Sequence, residues 1–177
     1  MKKIVIIFAI IIIAGVLFIK KYSYAPVLSQ VPQDVFKNAS FEIDGKLVQL
    51  EDGVAETEIY PGSASKLVTR YFGNVATGDL NFDGVDDTAF LVTQEGGGSG
   101  IFYYVVVNYS IADGHKTTNA FLIGDRIAPQ STNIIANELH VNFAERYPGE
   151  PMTAQPSVGA TLLLKVTPEG VLEGLMK

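Results

Sequence analysis

Residues 79–87 read Asp-Leu-Asn-Phe-Asp-Gly-Val-Asp-Asp, a run crowded with oxygen ligands. Counted from Asp79, side-chain oxygens fall at alternate places on Asp79, Asn81 and Asp83, and again on Asp87. The main-chain carbonyl of Val85 falls between the last two. Alternating hard oxygens of this kind wrap a cation of calcium size, and Gly84 permits the chain reversal that brings them round it. With no cation, Asp79, Asp83 and Asp87 would meet as three like charges, which raises carboxyl pKa values or opens the loop. Asp86 falls off the pattern and is expected to face solvent. A metal-free reading competes, in which Asp and Asn side chains cap main-chain donors in a tight β-turn. The spacing favours the cation, in a structural role.

An EF-hand would need a bidentate acid where Phe90 stands, and would need helices on either side where this chain reads as strand. The pattern D-x-N-x-D-G-x-x-D, within "GDLNFDGVDDTAFLV" at 78–92, resembles the calcium loops of FG-GAP and VCBS-type repeats. Phe82 departs from that pattern, where a small residue is common. The resemblance implies a calcium ion and a hairpin, and nothing beyond them. Together with "GGGSGIFYYVVV", "LIGDRIAPQ" and "YPGEPMTAQPSVG", the loop is also similar to a group of uncharacterised, exported or membrane-anchored bacterial proteins. That second resemblance implies no activity.

Other residues offer weaker chemistry. Ser63 and Lys66 have the S-x-x-K spacing of serine acyl-transfer enzymes, which on a helix puts both side chains on one face. The S-D-N and K-T-G companions of that motif are missing, so a hydrolase or acyl-transfer reading through Ser63 and Lys66 stands as the alternative. His115 follows a turn and His140 sits in "ELHVNF"; their spacing gives no metal site. Asp125 and Arg126, beside the proline-bearing "YPGEPM", read as a local ion pair or a recognition patch. Tyr103, Tyr104 and Tyr109 read as core, with a carbohydrate-binding face as the other option. There is no P-loop, G-x-S-x-G or dinucleotide fingerprint.

The elements that must hold these residues read as short strands. Asp44–Gly45 and Asp52–Gly53 between alternating apolar residues predict hairpins. "IFYYVVVNY" is apolar on both alternating faces, so that strand is expected to be central and covered on both sides. "TNIIANELHVNFAER" predicts a hairpin turning at Asn137–Glu138, and Pro168–Glu169–Gly170 a turn between two last strands. A lone short helix is expected, if anywhere, at "SASKLVTRYF". The fold class is therefore mostly β, an antiparallel barrel or sandwich, following an N-terminal transmembrane helix.

Composition sets the address. Residues 4–19 are apolar throughout and flanked by Lys2, Lys3, Lys20 and Lys21. As a helix they span about 24 Å, and snorkelling lysines extend their reach toward the roughly 30 Å hydrocarbon core. A membrane anchor at 1–21 is expected, with a cleaved signal peptide as its competitor, then a linker at 22–34 and an extracytoplasmic domain at 35–177. Beyond Lys21 the chain carries 9 basic against 19 acidic residues, a formal charge of −10. Such a surface repels phosphate backbones and argues against nucleic-acid binding. Cysteine is absent, which excludes disulfides and thiolate chemistry. The combined expectation is a tethered, non-catalytic module, with calcium in its loop and an unknown protein or envelope component as partner.

Overall fold

The computed structural model describes residues 33–175. The anchor at 1–21 and nearly all of the linker lie outside the described residues. Among the described residues no helix is long and apolar enough to cross a membrane. The only helical piece there is a 3-10 segment, Gln33–Asn38.

Everything else regular is antiparallel strand. A hairpin pairs β1 (Ser40–Ile43) with β2 (Lys46–Gln49). A larger sheet runs β3 (Val54–Glu58), β4 (Lys66–Gly78), β5 (Asp87–Gly96), β6 (Phe102–Ile111) and β7 (Gly114–Thr117). β8 (Phe121–Asp125) pairs with the first half of β6, while β7 pairs with its second half. A third sheet is ordered β12 (Leu172–Gly174), β11 (Val158–Val166), β10 (Glu138–Glu145), β9 (Ala128–Ile135).

The central strands are covered on both faces, as the unbroken apolar run of β6 requires. Ala89, Leu91, Val105 and Val107 pack with Leu139, Val141, Phe143 and Leu164 of the third sheet. On the opposite face Phe90, Val92, Tyr104 and Val106 pack with Phe36, Phe41, Ile43 and Val48. Phe90 is fully buried, its ring centroid 5.3 Å from Phe36, 6.3 Å from Phe41 and 5.9 Å from Tyr71. The result is three layers sharing one doubly buried pair of strands.

The stretch "SASKLVTRYF" corrects the expectation of a helix. From Lys66 onward it is β4, whose β-branched and aromatic residues suit a pleated surface. β4 bends at Gly73 and Asn74, where φ is 106° and 54°, and its far half meets β9. There Asn74 Nδ2 donates to Thr132 Oγ1 at 3.1 Å.

The hairpin turns follow their residues. Asp44 and Gly45 both have positive φ, 50° and 72°, as a two-residue type I′ turn demands. In the β9–β10 hairpin, Ile135 pairs with Glu138, so the turn residues are Ala136 and Asn137, one place earlier than the sequence predicts. Both are left-handed, at φ 51° and 64°. Asn tolerates that conformation; alanine is strained by about 1 kcal/mol or more. Glycine at 136 removes the strain at a partly offsetting cost in chain entropy. Ala136→Gly should therefore stabilise by about 0.5 kcal/mol net, raising the melting temperature by about 1–2 °C.

Candidate metal loop

β4 ends and β5 begins in register, with Gly78 opposite Asp87, so residues 79–86 close a hairpin between neighbouring strands. Gly78 has no room for a side chain: a Cβ there would come within 2.9 Å of Ile134 Cγ2. Leu80, fully buried, pins the start of the loop into the core shared with the third sheet.

The loop then winds around its own side chains. Asp79 accepts from the main-chain N–H of Phe82 through Oδ1 at 2.7 Å and from that of Gly84 through Oδ2 at 3.1 Å. Asn81 Oδ1 accepts from Asp83 N at 3.1 Å, and Asp83 Oδ1 from Val85 N at 2.8 Å. Phe82 is left-handed at φ 65° and Gly84 at φ 81°, which these bonds require. Asp86 is exposed, as expected.

Two partners come from far along the chain. Ser110, on β6, donates its hydroxyl to Asp83 Oδ2 and its main-chain N–H to Asp87 Oδ1 at 2.9 Å. Asn81 Nδ2 bridges Asp83 Oδ2 and the Ser110 carbonyl, both at 3.0 Å. Asn137, in the β9–β10 turn, donates to the Asp79 carbonyl at 2.7 Å. Sequence reasoning missed Ser110 and Asn137. Neither carries a local signal, since only strand pairing and layer packing bring them to the loop.

Asp87 differs in kind from the other acids. It is 1 % exposed, and besides Ser110 it takes the main-chain N–H of Leu80 on Oδ2 at 2.8 Å. Burial pushes its pKa up, opposed by the Ser110 and Leu80 donors and aided by the charge of Asp83. Asp83, exposed, shifts the other way: the Ser110 hydroxyl and then the Val85 N–H hold its pKa down. The structure thus brings Asn81, Asp83 and Asp87 together around Ser110, while Asp79 turns both oxygens onto its own turn. Val85 contributes its N–H to Asp83, and its side chain is exposed. Among the described residues no group of three or more His, Asp or Glu side chains is drawn tightly enough to hold a metal. The donor set, all oxygen with no nitrogen or sulfur ligand, fits a hard cation such as calcium in chemistry.

The remaining candidates separate. Ser63 Oγ accepts from Ser65 N at 3.0 Å, and Lys66 Nζ reaches Glu56 Oε2 at 2.6 Å, so each side chain is engaged with a different partner. That ion pair lowers the Glu56 pKa and raises that of Lys66. His115 is exposed on β7, and His140 is half-buried with Nε2 3.6 Å from Glu138 Oε2. Asp125 pairs with Arg126 at 3.0 Å and accepts from Ile101 N at 2.9 Å, so it ends β8 with a local ion pair. Arg126, left-handed at φ 49°, holds the Asp125 pKa down. Arg146 fastens the connection before β11 through the carbonyls of Ala154 at 2.6 Å and Arg126 at 2.8 Å. Tyr104 is buried, and Tyr103 and Tyr109 pack against the core of the third sheet.

Compared with known proteins, the chain matches no family model, no curated protein and no solved structure.

Asp87→Ala strands two main-chain N–H groups in the core and should cost about 2–4 kcal/mol in chemical denaturation. Asp87→Asn keeps one acceptor and a similar shape, so its cost should be much smaller. The sign of the pH effect follows from the raised pKa. The protonated Asp87 is favoured by folding, so its contribution is full below the unfolded pKa and lost as pH rises through the folded value. Asp83 works oppositely, its contribution fading as pH falls through its lowered folded pKa. In melting curves measured between acid and neutral pH, Asp87→Asn should abolish the loss on the alkaline side of the carboxylate range.

Proposed function

We propose that the chain is a membrane-tethered, extracytoplasmic β domain acting as a non-catalytic binding module of the envelope. Its loop takes one structural calcium ion through Asp79, Asn81, Asp83, the Val85 carbonyl and Asp87. The tether rests on the lysine-flanked apolar run at 4–19. The observation that carries the calcium reading is the all-oxygen spacing of Asp79, Asn81, Asp83 and Asp87 within one hairpin loop; the main-chain N–H bonds onto Asp79, Asn81 and Asp83 serve the metal-free turn equally well. An ionised carboxylate has about four acceptor positions, so these bonds leave lone pairs for a cation. The ion would fasten the ends of β4 and β5 and relieve the repulsion between Asp83 and Asp87.

One observation favours a second reading, an Asp-rich turn that works without metal. Ser110 and the Asn81 amide already supply Asp83 with donors, and Leu80 and Ser110 supply Asp87. The hydrolase or acyl-transfer alternative has less behind it, because Ser63 and Lys66 each face other partners.

Thermal melting of the full chain in detergent separates the first two. Extracytoplasmic calcium modules bind at roughly 10⁻⁴–10⁻³ M. Calcium at ten times Kd adds about 1.4 kcal/mol, so the melting temperature should rise by about 3–6 °C over the chelated protein. Asp83→Ala should abolish the rise. Coincident wild-type curves with calcium and with chelator would leave the metal-free turn.

A further inference from the structure

Away from the aspartate loop, two open strand edges line one cleft. β2 and β3 leave the Glu51–Val54 turn in different sheets, and a cleft of about 520 Å³ lies between them. Ladder alternation tells which main-chain groups point away from each strand's partner. Gly53 O accepts from Tyr71 N at 2.8 Å and Ile59 N donates to Ser65 O at 3.2 Å, so Ala55 and Thr57 spend their main-chain groups on β4. Glu56 and Glu58 therefore turn N–H and C=O to the free side of β3. Leu50 N donates to Ala39 O at 2.9 Å, which by the same alternation turns Leu47 and Gln49 away from β1. Among the described residues these outward groups have no main-chain partner.

An open edge of this kind accepts an added strand. A second copy of the chain is a poor occupant, because antiparallel pairing of β3 with itself sets glutamate against glutamate. The side chains select opposite charge instead. Asp44, Glu51, Glu56 and Glu58 line the cleft and the cavity that continues it, against one lysine in that lining, Lys46, among the described residues. Lys66 answers Glu56 from β4, which still leaves the balance acidic. Alternation also sorts the faces of β3. Ala55 packs against the core beneath the β1–β2 hairpin, so Thr57 shares that face and Glu56 and Glu58 lie on the other. On the Thr57 side the cleft runs into a cavity of about 310 Å³ lined by Ile43, Leu47, Val48, Ile59 and Leu67, with Leu47 72 % exposed.

We propose that this cleft binds an extended cationic peptide segment, which adds a strand to β3 and alternates basic with apolar side chains. Neighbours across a sheet share a face, so its basic residues lie beside Glu56 and Glu58 while an apolar one enters the cavity beside Leu47. The formal charge of −10 on the chain beyond Lys21 draws the same partner from a distance. The proposal names the partner class of the binding module proposed above and rests on that reading, but not on calcium.

The test is fluorescence anisotropy with the full chain in an uncharged detergent, using the labelled, capped hexapeptide Lys-Val-Lys-Thr-Lys-Thr. Its counterpart with glutamate in place of each lysine should bind at least about tenfold more weakly. Methylating the lysine main-chain nitrogens keeps every charge but removes the strand's donors, and should also cost about tenfold. Raising salt from about 0.05 to 0.5 M should weaken binding about threefold or more. Leu47→Lys, at an exposed position, should weaken it about threefold or more and leave the melting temperature unchanged. Light scattering of the chain alone should show monomers. Absence of binding, equal affinity for the glutamate or the methylated peptide, or unchanged affinity in Leu47→Lys would each overturn the proposal. Dimers that Leu47→Lys breaks apart would overturn it in favour of a second copy. Failure here with the calcium shift intact removes only the peptide; peptide binding without a calcium shift removes only the ion.

Discussion

The two-sided burial of β5 is the constraint on which the rest of this domain depends. Asp87 to Val92 are buried without interruption, so alternate residues feed two separate cores. Neither neighbour would be stable alone. A two-residue turn joining four-residue strands, as in β1–β2, is marginal in water and gains its order from Phe41, Ile43 and Val48 packing beneath Phe90. The third sheet is held in the same way from the other side, through Leu91 and Val105. The apolar area of the central pair is what makes three layers of short strands one cooperative unit.

That constraint reaches the loop through Asp87. As the first residue of β5 it is drawn into the buried run, where an ionised carboxyl is tolerated only with donors aimed at it. Leu80 and Ser110 provide them from opposite sides, one from the loop and one from β6. Ser110 also holds Asp83, so one residue sets the spacing between a buried acid and an exposed one. Their opposite pKa directions are the electrostatic result: burial and the Asp83 charge act on Asp87, while donors dominate at Asp83.

Much of the local structure was legible in the residues. Asp44–Gly45 states its own turn type, and the doubly apolar faces of β6 state that it is central. The S-x-x-K spacing suits the helical period, but β-branched and aromatic residues after Lys66 and pairing with Glu56–Thr57 on β3 decide for strand. The β9–β10 turn slipped one place because alanine at positive φ has no signature in sequence; register, set by Leu139 and Val141 facing the core, overrides the local preference. In the loop, the acids were legible but the donors were not. Ser110 lies 27 residues from Asp83, and Asn137 lies 58 from Asp79. Such partners become visible only when the sheets are assembled.

The same donors bear on how tightly a cation could be held. A loop whose carboxylates already accept main-chain N–H bonds suffers less repulsion when empty, so an ion entering it relieves less. Asp83 is exposed, where water screens its attraction for a cation, and the Asn81 amide would have to present oxygen where it now presents nitrogen to Asp83. Ser110 would have to surrender its hydroxyl bond to the same carboxylate. Each adjustment would subtract from binding, so the proposed calcium ion would be held weakly and would need a compartment where it is abundant. A cytosolic sensor would need a cage with more carboxylates and fewer competing donors. On the proposed reading, a weak calcium site and a tether at 4–19 call for the same compartment, and the two rest on physically independent features.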